Sequence, residues 1–263
     1  MKIQVTTPCY DDIGKVLKNM NLPFEEYTTK NKIDCDILFM NCGTHDIIDK
    51  TDLKSFVQKG GVLYASDLTS SFLDETFPNI FGFYGSGEAC TLNAEIVDVR
   101  LIEYIGKNIS ITFDMVAWSM LDHVNAGKVI MKRTDTGKPL MVEVPYGKGK
   151  IYYTSFHNHA QASEKEIALL KILVLTQLSV INDITIKEIA DIVKFDVESI
   201  KDKYGSDESQ NKKSQQIQQS NNNVDEEMIE NIMAKWDKQP YTPQKSQQNE
   251  TSFPDVDSII SKF

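Results

Sequence analysis

Residues 49–67 read DKTDLKSFVQKGGVLYASD, and this stretch decides the fold. Asp49 to Gln58 is amphipathic with helical period, Lys59-Gly60-Gly61 supplies the left-handed conformations that end a helix, and Val62-Leu63-Tyr64-Ala65 is a short, wholly apolar run. A continuous apolar strand right after a capped helix is one covered on both faces, the situation of a parallel sheet. Upstream, Lys2 to Thr6 and Asp36 to Asn41 (DILFMN) read as two further strands. Tyr10 to Met20 between them carries Ile13, Val16, Leu17 and Met20 on one helical stripe. Strand, helix, strand, helix, strand predicts an α/β fold with a doubly wound, mostly parallel, flavodoxin-like sheet and right-handed crossovers.

Downstream the rhythm changes. LNAEIVDVRL, ISITFDM, KVIMKRT, PLMVEVPYG and KIYYTSF, between Cys90 and Phe156, are strand-like, with Asp135-Thr136-Gly137 and Gly147-Lys148-Gly149 as turns, and predict an antiparallel extension. Ser163 to Ser179 predicts a long helix opened by a capping box of Ser163 and Glu166. Residues 1–180 therefore form the α/β domain. Residues 181–204 follow as a helical extension in which ITIKEIADIVKFDVESIKDKY (184–204) shows two helices around a Lys-Phe-Asp break. The second of these mixes Glu198 and Asp202 with Lys201 and Lys203, which suits packing on the core better than reading DNA.

From 205 to 263 the chain becomes rich in Gln, Asn and Ser, a composition that cannot bury enough surface to offset ordering, so this part is expected to be disordered. Two segments stand out of it. Residues 223–238 put Met228, Ile229, Ile232, Met233 and Trp236 on one face, and residues 254–263 repeat the device with Ile259, Ile260 and Phe263. Amphipathic segments strung on polar linkers fit helix-in-groove docking to a partner protein, to the chain's own domain or to a second copy of it, with Trp236 as the anchor.

Composition narrows the class of function. The 263 residues carry 28 Lys and Arg against 38 Asp and Glu, a net charge of −10, which removes the electrostatic footprint of a nucleic-acid or anionic-membrane binder. No apolar segment has the length of a leader or a membrane span. Cys9, Cys35, Cys42 and Cys90 are too scattered for a zinc pair and too few for a disulfide scaffold, so they read as reduced thiols of a cytoplasmic protein. No cofactor is expected.

The order of DILFMNCG (36–43), DLKSFVQKGGVLYASD (52–67) and GKPLMVEVPYGKGKIYYTSFHNHA (137–160) resembles the class I glutamine amidotransferase-like superfamily. The nearer likeness is to its non-amidotransferase branches, the trehalose-utilisation-like and GIFT-type domains, over residues 1–180. The resemblance implies a nucleophile elbow, Gly-x-Cys-x-Gly, after the strand that follows Gly60-Gly61, and a distant Phe-His-Pro-Glu supplying base and orienting carboxylate. Here the elbow reads Tyr64-Ala65-Ser66-Asp67-Leu68, with Ser66 in the cysteine's place and neither glycine. The base position is His157, and the carboxylate position is His159. These departures imply a domain without glutaminase activity, whose His157 has no orienting group; together with the two amphipathic tail segments it reads as a protein-binding or assembly module.

Two constellations remain for chemistry. Ser66, Asp67 and His157, with His159, belong at the carboxyl ends of adjacent strands, where α/β sheets place ligands. They could form an altered hydrolytic site for a small molecule or a non-catalytic ligand cleft, against the alternative that they only satisfy loop and helix-end hydrogen bonds. His45, His157 and His159, with Asp67, are of metal-ligand type. No ligand-spacing motif joins them, and residues two apart such as His157 and His159 would point to opposite sides of a strand.

Overall fold

A computed structural model describes residues 1–29 and 32–205. The first half is built as the apolar runs predict: strand β1 (Ile3–Thr6), helix α1 (Ile13–Asn19), a short strand β2 (Glu25–Tyr27), strand β3 (Ile37–Met40), helix α2 (Lys50–Gln58) and strand β4 (Val62–Ser66). Asp49 caps α2 by accepting from the amides of Thr51 and Asp52. At its other end Gly60 takes φ +121, the left-handed turn that lets the chain enter β4 directly.

The next elements are helix α3 (Ser70–Thr76), strands β5 (Phe81–Gly87) and β6 (Cys90–Ile96), helix α4 (Val99–Ile105), and strands β7 (Asn108–Phe113), β8 (Trp118–Val124), β9 (Lys128–Arg133), β10 (Pro139–Tyr146) and β11 (Gly149–Thr154). Helices α5 (Glu164–Asn182), α6 (Ile186–Ile192) and α7 (Val197–Tyr204) complete the described chain. One nine-stranded sheet runs in the order β2-β1-β3-β4-β11-β10-β9-β6-β7. Its first five strands are mutually parallel, and β10, β9, β6 and β7 continue it with antiparallel pairings. The sheet is mixed: a parallel half that matches the expectation and an antiparallel half as large in pairings.

Both faces are covered, which explains the unbroken apolar strands. Along β3, Ile37 and Phe39 enter the core under α1 and α5, and Leu38 and Met40 enter the core under α2 and α3. Along β4, Val62 and Tyr64 face the first core, and Leu63 and Ala65 the second. Each fully buried Leu or Ile contributes about 1.5–3 kcal/mol, so the period-2 division fixes the register: a one-residue slip would exchange the two cores.

Helix α5 opens with the predicted capping box. The Glu166 amide donates to Ser163 Oγ at 3.2 Å and the Ser163 amide donates to Glu166 Oε2 at 2.8 Å. Helices α6 and α7 bury Ile186, Ile189, Ile192, Val197 and Ile200 in the same core as α5.

Several readings are corrected. LNAEIVDVRL is not one strand: β6 stops at Ile96, and Asp98 accepts from the Arg100 amide to start α4, which buries Leu101, Tyr104 and Ile105. The sequence reading also missed β2, α3 and the β5–β8 ribbon, a separate two-stranded sheet whose Phe81 and Phe83 rings stack 5.4 Å apart and pack on Tyr153. Among the described residues no single helix is long and apolar enough to cross a membrane. The docking segments 223–238 and 254–263, with Met228, Ile229, Ile232, Met233, Trp236, Ile259, Ile260 and Phe263, lie outside the described residues.

Candidate functional site

Four parallel strands release their chains at one end of the sheet, so loop residues far apart in sequence converge there. The loop after β1 brings Asp11, the end of β3 brings Asn41 and Cys42, β4 brings Ser66 and Asp67, and the segment after β11 brings His157, Asn158 and His159. All of these but His159 are buried. A cleft of about 820 Å³ lies at the opposite, amino-terminal end, lined by Asp36, Gly60, Gly61, Gly149 and Lys150, and takes no part in this cluster.

Ser66 does not meet the histidine. Its hydroxyl donates to Asp11 Oδ2 at 2.8 Å and accepts the Cys42 amide at 3.1 Å. The residue with the strained backbone at the strand-to-helix turn is Asp67, with φ +43, a conformation that costs a non-glycine residue about 1 kcal/mol or more. Asp67 Oδ2 lies 3.1 Å from His157 Nε2, while Asp67 Oδ1 accepts the Ser119 amide at 2.7 Å. The residue that faces His157 is thus a carboxylate, Asp67, and Ser66 faces Asp11.

His157 is not left without an orienting group either. Its Nδ1 lies 2.9 Å from Asp114 Oδ1, a residue just past β7. Burial opposes charge on this ring, but Asp67 leads the groups that outweigh it, so the pKa of His157 is raised. Nε2, although close to Asp67, meets it off the N–H axis and makes no hydrogen bond. Cys42 Sγ completes the group 3.8 Å from Asp67 Oδ2, and burial pushes its thiol up, away from the thiolate form.

Asp11 organises the other side. Burial alone would raise its pKa, but donors including His159 and Ser66 lower it, and the Asn158 amide at 2.9 Å, Asn158 Nδ2 at 2.6 Å and the Asp12 amide at 2.7 Å also converge on its oxygens. His159 bridges Asp11 Oδ1 (3.4 Å) and Asp114 Oδ2 (3.2 Å), and its contact with Asp11 raises its own pKa.

Ser66, Asp67, His157 and His159 all lie at this end of the sheet. The segment after β11 is a turn rather than a strand, so the rings of His157 and His159 stack with centroids 5.5 Å apart instead of diverging. His45 lies in the turn His45–Ile47 after β3, and its side chain is outside the described atoms. Sequence reasoning missed Asp11, Cys42 and Asp114. Cys42-Gly43 directly after a buried strand was a usable signal for the second; nothing near Asp114 distinguished it.

Comparison with solved structures bears on the fold alone. A ThuA-like protein from Bacteroides uniformis superposes with a TM-score of 0.51 at 8% identity, covering 71% of this chain and 94% of that one. The fold is similar to that of this ThuA-like protein. A glutamine amidotransferase from Thermotoga maritima also matches, with a TM-score of 0.46 at 10% identity over 77% of this chain and 94% of that one. A β-galactosidase from Bacillus circulans sp. alkalophilus matches with a TM-score of 0.47 at 12% identity over 70% of this chain. The chain spans 31% of that enzyme's length. No family model matches the sequence, and no curated protein matches it.

Proposed function

We propose that this amidotransferase-like domain is non-catalytic and serves as a protein-binding or assembly module, with segments 223–238 and 254–263 docking on a partner protein. One observation carries the reading: the residue that faces His157 from the strained turn after β4 is Asp67, a buried carboxylate ion-paired with it. An amidotransferase needs a nucleophile there and a neutral base beside it. Asp67 gives the ring a counter-ion instead, and Ser66 has its proton on Asp11. With turnover set aside, Trp236 and Phe263 are the largest apolar side chains within these two segments.

The test is to identify a partner by crosslinking in the source cell, purify it, and measure its binding to the full chain. Trp236→Ala and Phe263→Ala should each weaken binding at least tenfold, whereas Ser66→Ala should leave it unchanged. Undiminished binding by both tail variants overturns the reading. A second reading, a hydrolase for a small molecule, draws support from Asp114, which gives His157 an orienting carboxylate 2.9 Å away. That reading requires a compound turned over by the wild type and not by His157→Ala.

A further inference from the structure

We propose that Cys42, Asp67 and His157 bind a divalent metal ion, Zn²⁺ foremost, at the carboxyl end of the sheet. Three different strand ends contribute, and Cys42 Sγ, one Asp67 oxygen and one His157 ring nitrogen all lie within 4.8 Å of one another. The separations are 3.1 Å from Nε2 to Oδ2 and 3.8 Å from Sγ to Oδ2. Ligand bonds of roughly 2.0–2.3 Å in a tetrahedral zinc site put neighbouring donor atoms about 3.3–3.7 Å apart. Both of these separations lie within about half an ångström of that spacing.

A second observation points to the same space. His157 is 2% exposed, yet Nε2 has no hydrogen-bond partner. A buried ring nitrogen whose close carboxylate lies off the hydrogen-bond axis is left with a bond that a ligand would complete. Turned toward a carboxylate and a sulfur, this one is placed to donate its lone pair to a cation.

The outer atoms of each ligand are already fixed. Nδ1 of His157 is held by Asp114, the carboxylate–histidine arrangement that orients metal-binding imidazoles. Oδ1 of Asp67 is held by the Ser119 amide, and the Cys42 amide is held by Ser66 Oγ. Sulfur, imidazole and carboxylate together favour zinc over magnesium or calcium, which prefer all-oxygen shells. Three protein ligands leave one tetrahedral position for water. Binding would displace the Cys42 thiol proton and the second imidazole proton into solvent.

Asp114, His157 and His159 make a competing cluster. It is the weaker choice, because both nitrogens of His159 and Nδ1 of His157 already face carboxylates, while Asp114 and His159 side chains are 32% and 33% exposed. In the present proposal Asp114 is a positioning residue and His159 stands outside the metal's reach.

The test uses the full chain, stripped with a chelator and titrated with Co²⁺. Wild type should take up one ion per chain with a thiolate-to-cobalt charge-transfer band and the visible bands of a tetrahedral site, all removed by Zn²⁺. Cys42→Ala should lose the charge-transfer band, whereas the triple variant Cys9→Ser, Cys35→Ser, Cys90→Ser and the variant His159→Ala should keep it. Asp114→Asn should keep the band with about 10- to 100-fold weaker binding. Absence of the band in wild type or its loss in the triple variant overturns the proposal; so does its persistence in Cys42→Ala or its loss in His159→Ala. The wild-type titration decides even where a substituted chain fails to fold.

Discussion

Ser66 donates its hydroxyl proton to Asp11 across 2.8 Å, tying the end of β4 to the loop that follows β1. The bond makes Ser66 part of a buried polar core in which one carboxylate gathers donors from three chain segments. Ser66→Ala removes one donor from a charge that cannot reach water. It should lower the unfolding free energy by about 1–3 kcal/mol, read from the urea midpoint. Ser66→Cys should confer no glutaminase activity, since the new thiol would face Asp11 and not His157; ammonia release from glutamine measures this, and appearance of activity would refute the geometric argument.

Acid sensitivity should centre on Asp98, which caps α4 and pairs with Arg100 at 2.6 Å. Burial alone would raise its pKa, but hydrogen bonds from the Arg100 guanidinium and amide bring it from 3.8 down to about 2. A carboxyl whose folded pKa is depressed contributes stability that is present above pH 3.8 and lost as pH falls from there toward 2. With Arg100 partly exposed, about 1–2 kcal/mol is at stake after solvent screening. Asp98→Asn keeps the cap oxygen and removes the charge, so its unfolding free energy should fall less than that of wild type between pH 5 and pH 3. Parallel pH profiles for the two proteins would show that the ion pair contributes nothing.

How far the sequence could be read follows from which physics was local. Buried strands β3 and β4 and helix α2 with its glycine exit were legible because their apolar runs and caps lie within a few residues. The capping box of α5 was legible for the same reason. The β5–β8 ribbon was not, since its strands are 30 residues apart and FGFYGSG offers no clean alternation. Asp98 ended a strand-like run that pattern alone carried too far. In the site, residues adjacent to motifs were found, whereas Asp11 and Asp114 act through contacts of 147 and 43 residues' separation to Asn158 and His157, which no single-segment pattern encodes. The strained φ at Asp67 is a backbone property that residue types did not announce.

Two reciprocal caps offer a graded test of helix energetics. Ser163 and Glu166 cap α5, whose first turn is part-buried, and Thr185 and Glu188 cap α6 at the surface. Each hydroxyl satisfies an otherwise orphaned amide, so Ser163→Ala and Thr185→Ala should each cost about 0.5–2 kcal/mol, the larger loss falling on Ser163, where solvent is the poorer substitute. Thermal melts of the two variants check the order. Equal shifts would mean that burial does not modulate the cap.

The hairpin joining β10 to β11 should tolerate no side chain at Gly149. A Cβ there would sit 2.2 Å from the Gly61 carbonyl oxygen and 2.3 Å from that of Val57, both backbone atoms at the exit of α2. Neither can swing away as a side chain could, and moving either disrupts the turn through which Lys148 donates to the Gln58 carbonyl at 3.1 Å. Gly149→Ala should therefore cost about 3 kcal/mol or more. Gly137 isolates the backbone term: it has φ +70, with nothing within 4 Å of an added Cβ, so Gly137→Ala should cost only the left-handed penalty of about 1–2 kcal/mol. Urea unfolding of the pair separates steric overlap from backbone strain. Similar losses in both would mean that α2 and the hairpin can part without penalty, and that the close packing at Gly149 does not anchor β11, the strand that delivers His157.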